Sequence, residues 1–398
     1  MTSESDTGSP RKSLGLALQV VVFIGLSIWL VTSGHSASTS RGLPPLRNEP
    51  LSVGVYYDNP SLISDEQLRR VLDRLRPRNE GPGSKINHID HALRFWTGKA
   101  SFADAGFLSG FEMIKLLTDD RQFHAFFGAD QKSLLVPTRG GVRVRVQDGP
   151  LSSSHVDHTV CCLTEIGLPL SAPVYTSSGV VPFRAMVEQS LRDFSANQVE
   201  YEWSALTYAL VLEPTSEWTS TEGQKLSFDF LVRRMMRERL PRGVCFGNHR
   251  LYTVAAILRI DEQQSLLSRD VRQACLDWLK QATEMLVWTQ NAEGYWGEDW
   301  ARQAGKPVET ADSSGDIVAD RILATGHALE WWAIAPQECH PPQGVLLRAC
   351  QWLVRTIDEQ SPRQILDRYT YLTHAGRALA LWRGKTPPAV VGDSQKTE

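Results

Sequence analysis

Residues 201–212, Tyr-Glu-Trp-Ser-Ala-Leu-Thr-Tyr-Ala-Leu-Val-Leu, are apolar on nearly every face of a helix, and they follow residues 183–194, where apolar side chains recur at helical spacing between charges. A helix that is hydrophobic all round has to be buried, whereas an amphipathic helix covers it. This alternation continues to the C-terminus. The later amphipathic segments are 223–240, 269–289 and 344–358, and the later apolar segments are 249–258, 327–335 and 374–382.

The front half of the chain is less regular but fits the same arrangement. Residues 64–76 and 108–118 predict amphipathic helices. Val142-Arg-Val-Arg-Val146 alternates at period two and predicts a small β-hairpin. The pattern therefore predicts an all-α fold, a single (α/α)6 toroid over residues 55–384 with that hairpin inserted. Its six inner helices are expected to begin near positions 91, 158, 202, 249, 327 and 374.

An uncharged apolar stretch, residues 14–32, precedes the helical region. At a rise of ~1.5 Å per residue it reaches roughly the thickness of the hydrocarbon core, which predicts one transmembrane helix acting as a signal anchor. Arg11 and Lys12 directly before it favour a cytoplasmic N-terminus, residues 1–13. The alternative is a signal peptide cleaved near residues 36–38. Either way, we expect a membrane location with the main domain outside the cytoplasm, joined by a flexible tether (33–54) and followed by a disordered tail (385–398).

Charge and cysteine content narrow the classes of partner. The chain carries 42 Lys and Arg against 45 Asp and Glu and has no basic run, so nucleic acid is not an expected partner. The expected partners are the lipid bilayer, through residues 14–32, and a glycan or small-molecule ligand. Outside the cytosol the six cysteines could oxidise, and Cys339 and Cys350, on either side of a Pro-Pro turn, are the best candidates for a disulfide.

Histidine recurs at the start of the predicted inner helices. Each histidine follows a residue of the helix-capping type, and the remaining inner helix has Glu202 at the equivalent point. The positive end of the helix dipole disfavours a protonated imidazole, so neutral imidazoles are expected there. Since parallel inner helices open at one end, these side chains are predicted to converge on one funnel mouth, with Tyr252 and Trp331 offering aromatic surfaces for a ligand. The five histidines are His91, His158, His249, His327 and His374.

Gln290-Asn-Ala-Glu-Gly294-Tyr-Trp296 resembles the Gln-x3-Gly-x-Trp repeat of squalene and hopene cyclases. The resemblance implies a toroid in which this motif joins outer helices, and protein prenyltransferase β-subunits have the same kind of barrel. The cyclase acid motif Asp-x-Asp-Asp is absent from the sequence, and no match to the prenyltransferase zinc set is found. The resemblance therefore implies a fold rather than a reaction.

Two further motifs are similar to those of the N-acylglucosamine and cellobiose 2-epimerase family. Gly326-His327-Ala-Leu-Glu330 resembles its Gly-His-x-x-Glu motif, and His374-Ala-Gly-Arg377 resembles its later His-x-x-Arg motif. Asn248-His249 is a third, weaker match. The resemblance implies that His327 and His374 exchange a proton beside a sugar carbonyl, that Glu330 orients one of them, and that Arg377 holds substrate oxygens.

Three hypotheses remain open from the sequence, which does not decide whether the protein is an enzyme. The first is a membrane-tethered carbohydrate-active isomerase or lyase that uses neutral histidines, His249, His327 and His374, for proton transfer. The second is a non-catalytic toroid that binds a ligand or a protein at the same mouth. In both, His91, His158, Glu202, Tyr252, Trp331 and Arg377 are expected to contact the ligand. The third is a metal site formed by His249, His327 and His374, although no cofactor is predicted.

Overall fold

Helices account for most of the residues that the computed structural model describes, which are 42–214, 217–302 and 313–391. Among these residues, no helix combines the length and apolar character needed to cross a bilayer. The predicted cytoplasmic segment, the predicted transmembrane helix 14–32 and residues 33–41 of the predicted tether lie outside the described residues.

Fifteen α-helices and three two-stranded hairpins form in the described part of the chain. The helices are α1 Asp65–Arg74, α2 Ile86–Trp96, α3 Gly110–Thr118, α4 Asp120–Phe127, α5 His158–Glu165, α6 Arg184–Asp193, α7 Glu202–Val211, α8 Phe228–Arg237, α9 Asn248–Gln264, α10 Arg269–Thr289, α11 Ile317–Ile334, α12 Gln343–Glu359, α13 Pro362–Asp367, α14 Tyr369–Trp382 and α15 Pro387–Val391. The strands are β1 Leu135–Pro137, β2 Val142–Val144, β3 Pro173–Thr176, β4 Gly179–Pro182, β5 Trp218–Thr219 and β6 Lys225–Leu226, each paired antiparallel with its neighbour in sequence. The predicted hairpin at 142–146 is the β1–β2 pair, in which Leu135 lies opposite Val144.

Six buried helices pack against one another in a closed cycle. These are the helices with apolar residues on all faces, and α7, for example, is buried along its whole length. Burial of apolar surface holds these helices together, since a helix that is apolar on all faces is unstable with any face in water. The order of contacts around the cycle is α2, α5, α7, α9, α11, α14 and again α2.

Amphipathic helices cover this cycle, and the Gln290 motif joins two of them. The Gln290 side chain, just after α10, donates to the carbonyls of Gly294 and Val345, and Val345 belongs to α12. Gly294 has φ +109°, and a Cβ there would lie 2.4 Å from the carbonyl oxygen of Arg348, so only glycine fits this contact between α10 and α12. The buried Trp296 closes the turn by donating to the carbonyl of Leu286.

The ends of the helical region differ from the sequence-based boundaries. The compact unit begins at Pro44 rather than at residue 55, because the backbone N–H groups of Arg47 and Leu51 donate to the carbonyls of Val211 and Leu210 at the end of α7. These are carbonyls that a helix end leaves without an internal partner. At the other terminus, the predicted disorder is wrong for residues 385–391, because Lys385 pairs with Asp65 at 2.6 Å and α15 packs on α1.

Cys339 and Cys350 are both free thiols, so the expected Cys339–Cys350 disulfide is not formed. Cys339 is buried in a short turn with its sulfur facing the carbonyl of Leu276 in α10. Cys350 is buried within α12. Each thiol is therefore packed as a small apolar group.

Candidate functional site

Six histidine rings contact one another in a closed ring inside the cycle of helices. All five histidines singled out in the sequence belong to it, and each is at most 4% exposed. The sixth member is His155, from the segment before α5. It lies between His158 and His249, where α7 contributes Trp203 rather than a histidine, and the Trp203 ring contacts both His158 and His249. Going around, the centroid distances are His91–His158 4.3 Å, His158–His155 5.9 Å, His155–His249 5.5 Å, His249–His327 5.2 Å, His327–His374 3.8 Å and His374–His91 5.3 Å. We call this set the histidine ring.

Most of these histidines are not at helix N-termini, which corrects the sequence analysis. His158 is the first residue of α5 and His249 the second of α9. However, α2, α11 and α14 begin at Ile86, Ile317 and Tyr369, well before their histidines. Asp90, Gly326 and Thr373 are therefore interior helical residues rather than caps, and the helix dipole cannot explain neutral imidazoles in these three helices.

Gly326 acts in packing rather than in capping. A Cβ at this position would lie 2.8 Å from the backbone nitrogen of Ala375 and 3.2 Å from the carbonyl carbon of His374. Gly376 is similarly crowded, since a Cβ there would lie 2.5 Å from the ring of Phe95. The absence of side chains at these two positions lets α11 approach α14 and α14 approach α2, which brings His327 against His374.

Three carboxylates lie beside the histidine ring, and each is close to the Nδ1 atoms of two histidines. Asp90 accepts from Nδ1 of His91 at 2.9 Å and from Nδ1 of His158 at 3.0 Å. Glu330 accepts from Nδ1 of His374 at 3.1 Å, and it is 3.2 Å from Nδ1 of His327.

Glu200 is the third carboxylate. It accepts from Nδ1 of His155 at 3.1 Å and is 3.7 Å from Nδ1 of His249. Four rings therefore donate their Nδ1 proton to a carboxylate, which leaves the lone pair on Nε2. His249 and His327 are the exceptions, because neither of their ring nitrogens has a hydrogen-bond partner among the described residues.

Burial and charge set the protonation states of the site. Burial lowers the pKa of His249, His327 and His374, and lowers that of His158 to about 4. Burial opposes ionisation of the carboxyls, but the neighbouring cations and hydrogen bonds outweigh it and hold the pKa of Asp90, Glu165 and Glu330 below the usual range. The pKa of Glu200 is likewise lowered, to about 2. At neutral pH the site thus combines ionised carboxylates with neutral imidazoles at His158, His249, His327 and His374.

A second polar layer lies one helical turn from the histidines. Four of the histidines are followed three residues later by a polar residue: Arg94, Tyr252, Glu330 and Arg377. Arg94 donates to Glu330 at 2.8 Å and to Glu165 at 2.6 Å. Arg377 donates to Glu330 and to the Tyr252 hydroxyl, which in turn donates to Glu165 at 2.6 Å. The Nη2 atom of Arg94 is buried and has no partner in the described chain.

Two predicted site residues lie elsewhere. Glu202 is buried at the start of α7 and faces Arg250, at 3.8 Å, and burial raises its pKa to about 7. Trp331 is fully buried and packs against Trp332, with ring centroids 5.1 Å apart. Neither belongs to the histidine ring.

The sequence analysis missed several members of the site. His155, Glu200, Asp90 and Arg94 were not singled out individually, and neither were Glu165 and Cys245. A signal existed for some of them, because His-x-Asp-His occurs at 88–91 and at 155–158. The two copies are used differently: in the first, Asp90 joins the site, whereas in the second His155 joins it and Asp157 accepts from Ser190 and Ser204.

Three groups of side chains have the spacing of metal ligands, with ligand atoms within 4.8 Å of one another. Two of these groups are centred on Asp90 and on Glu330. Their short distances are mostly hydrogen bonds between a carboxylate and Nδ1 of a histidine, so no metal ion is needed to explain them. The third group is Cys245, His249 and His327. Its two imidazoles are the pair that has no hydrogen bonds, so this group fits a metal ion best.

Comparison with known proteins adds no relative, because no family model, curated protein or solved structure matches this chain.

Proposed function

We propose that the closed cycle of helices is the inner ring of an (α/α)6 toroid, and that the histidine ring is the active site of an enzyme that moves a proton on a carbohydrate-type substrate, as an isomerase or a lyase. The observation that carries this proposal is that four imidazoles, those of His91, His155, His158 and His374, each contact one of three carboxylates through Nδ1. A neutral imidazole held in this way presents Nε2 as a base, and a base in a precise position is what proton abstraction requires. In this proposal residues 14–32 hold the domain at a membrane, outside the cytoplasm.

His374 is the best candidate for the base. Its Nδ1 donates to Glu330 at 3.1 Å, and its buried Nε2 has no partner within the described part of the chain. The sequence-based pair was His327 and His374, but their ring centroids are 3.8 Å apart, which leaves no room for a substrate atom between them. His91 lies edge-on to His374 at 5.3 Å and is held by Asp90, so we assign His91 and His374 as the proton-transferring pair.

Arg94 supplies the substrate-binding element in this proposal. Its guanidinium is fixed by Glu165 and Glu330, and it lies over the rings of Trp203 and Tyr252 at 5.2 and 4.5 Å. Its free Nη2 can donate to a carbonyl or hydroxyl oxygen of a sugar. A guanidinium held in this way loses little conformational freedom when the substrate binds.

The test is hydrogen exchange into substrate carbon. The full chain is incubated in D2O with a panel of sugars and cell-envelope glycan fragments, and mass spectrometry follows deuterium at carbon-bound positions. We expect incorporation that is lost in His374→Asn and kept in His124→Asn, a matched control whose imidazole bonds Ser133 outside the ring. Incorporation that persists in His374→Asn would refute the assignment. Binding without exchange by any member of the panel would favour a ligand-binding toroid instead.

A further inference from the structure

The two histidines without hydrogen bonds are neighbours in the histidine ring. His249 and His327 are each 2% exposed, and all four of their ring nitrogens lack a hydrogen-bond partner within the described residues. Buried polar atoms are nearly always hydrogen-bonded. Glu200 and Glu330 lie near the two Nδ1 atoms, so the two Nε2 atoms on these touching rings are the ones that point to a ligand that the described chain does not supply. Their centroids are 5.2 Å apart.

Cys245 completes a ligand set with these two rings. Its sulfur and one ring nitrogen of each histidine lie within 4.8 Å of one another. Cys245 precedes α9 in a turn where Cys245, Phe246 and Gly247 all have positive φ, at 51°, 57° and 74°. The turn is held by Asn248, which donates to the carbonyl of Cys245, and by Trp300, which donates to that of Phe246. Left-handed backbone at two non-glycine residues, Cys245 and Phe246, costs free energy. The two hydrogen bonds hold the backbone of the turn in this conformation, and this backbone sets the position of the Cys245 sulfur.

The charges around the ring leave a deficit of positive charge. Asp90, Glu165, Glu200 and Glu330 face only two cations, Arg94 and Arg377, within the network of contacts described above. The four carboxylates exceed the two guanidinium groups by two formal charges, and a dication bound through the Cys245 thiolate would add one net positive charge and so reduce this costly excess.

We propose that Cys245, His249 and His327 bind a divalent transition-metal ion of the zinc class. One thiolate and two imidazoles suit such an ion, and three protein ligands leave a fourth position open, as catalytic zinc sites do. Glu200 and Glu330 already lie 3.7 and 3.2 Å from Nδ1 of the two histidines, where they can orient rings that bind the metal through Nε2.

The metal has a role in the proposed reaction. In the open position it would polarise a carbonyl oxygen of the substrate, which acidifies the neighbouring C–H that His374 deprotonates. This role rests on the proposed function, but metal binding itself does not. The site also differs from the metal site considered from the sequence, since His374 is assigned to the base and Cys245 takes its place.

Cobalt(II) provides the test, because a thiolate ligand gives it a near-ultraviolet charge-transfer band. The full chain is freed of metal with a chelator, its fold is checked by circular dichroism, and Co2+ is titrated. We expect one equivalent to bind with the charge-transfer band and with visible bands of a four-coordinate ion. Cys245→Ser should lose the charge-transfer band and weaken binding by more than the roughly 10–100-fold that losing an outer partner costs. The matched control is Cys275→Ser, which alters a buried thiol of α10 away from the ring. This variant should keep the charge-transfer band and the wild-type affinity for Co2+.

Separate variants distinguish this inference from the proposed function. His374→Asn should still bind Co2+ with the charge-transfer band while losing deuterium exchange. His327→Asn, in contrast, should lose stoichiometric binding. No stoichiometric binding by the folded wild-type chain, or an unchanged charge-transfer band in Cys245→Ser, would overturn the metal site. Metal binding without deuterium exchange would leave the site standing and refute only the proposed reaction.

Discussion

Gly326 offers the sharpest test of how the helices assemble the site. A Cβ at this position would meet backbone atoms of α14, at 2.8 Å from the nitrogen and 3.1 Å from the Cα of Ala375. Backbone of a packed helix cannot rotate away, so Gly326→Ala has to push α11 and α14 apart. Overpacking of this kind costs about 1–3 kcal/mol, whereas alanine in a helix gains up to about 1 kcal/mol over glycine. With the full propensity gain, we therefore expect a net loss of about 0–2 kcal/mol in the free energy of unfolding, with a midpoint near 1 kcal/mol.

Gly344→Ala is the matched control for this variant. It lies in α12, and its Cβ would meet only the tip of the flexible Arg348 side chain, at 3.6 Å. Gly344 is in the first turn of its helix and Gly326 is in a helix interior, so Gly344→Ala gains at most the same helix propensity and has no clash. The difference between the two variants in urea unfolding is therefore a lower bound on the steric cost. Gly326→Ala should also weaken Co2+ binding, because it displaces His327. If Gly326→Ala proves as stable as Gly344→Ala, the close approach of α11 and α14 is refuted.

Three further predictions concern protonation, charge and the cysteine turn. His158 has a folded-state pKa of about 4 against an ordinary value of 6.5. The unfolded chain therefore binds more protons in this range, and the stability of the wild type falls as the pH drops from 6.5 to 4. In urea titrations, His158→Gln should lose on the order of 3 kcal/mol less stability over that range than the wild type. Arg94→Met leaves Glu330 and Glu165 buried with one cation fewer, and should cost about 3–5 kcal/mol in urea unfolding, whereas recovery of full stability would contradict the ion network. Trp300→Phe removes the N–H that donates to the carbonyl of Phe246 in the Cys245 turn, and should weaken Co2+ binding in the same titration. Because Trp300 is fully buried, the unsatisfied carbonyl and the cavity should together lower the free energy of unfolding by about 1–3 kcal/mol.

Periodicity was sufficient to predict the helices but not where they begin. The apolar stretches 249–258 and 374–382 lie on α9 and α14, because a helix buried on all faces has a composition that can be recognised locally. Helix starts were misplaced where a capping-type residue occurs inside a helix. Gly326 was interpreted as a cap, yet its role depends on the backbone of α14, which no local pattern contains.

The candidate site was predicted in outline for the same reason. The five histidines could be selected because each stands at the start of an apolar segment of the sequence, and the structure brings all five together. The carboxylates that hold them could not be selected, because Asp90 and Glu200 come from different parts of the chain and act on histidines beyond their own segments. Cys245 likewise reaches the site only through a left-handed turn that spacing does not reveal.

The closure of the helical cycle has a consequence for biosynthesis. The last member, α14, packs on the first, α2, and Asn87 donates to Thr370 across 283 residues of sequence. Contacts between such distant segments form late, because a long loop has to close before they stabilise anything. A nascent or truncated chain that ends before Tyr369 lacks His374 and Arg377, so its carboxylates remain underneutralised and its base is absent. Because Cys245, His249 and His327 all precede α14, the proposed metal ligands are synthesised before the proposed base, and only deuterium exchange would report that the cycle of helices has closed.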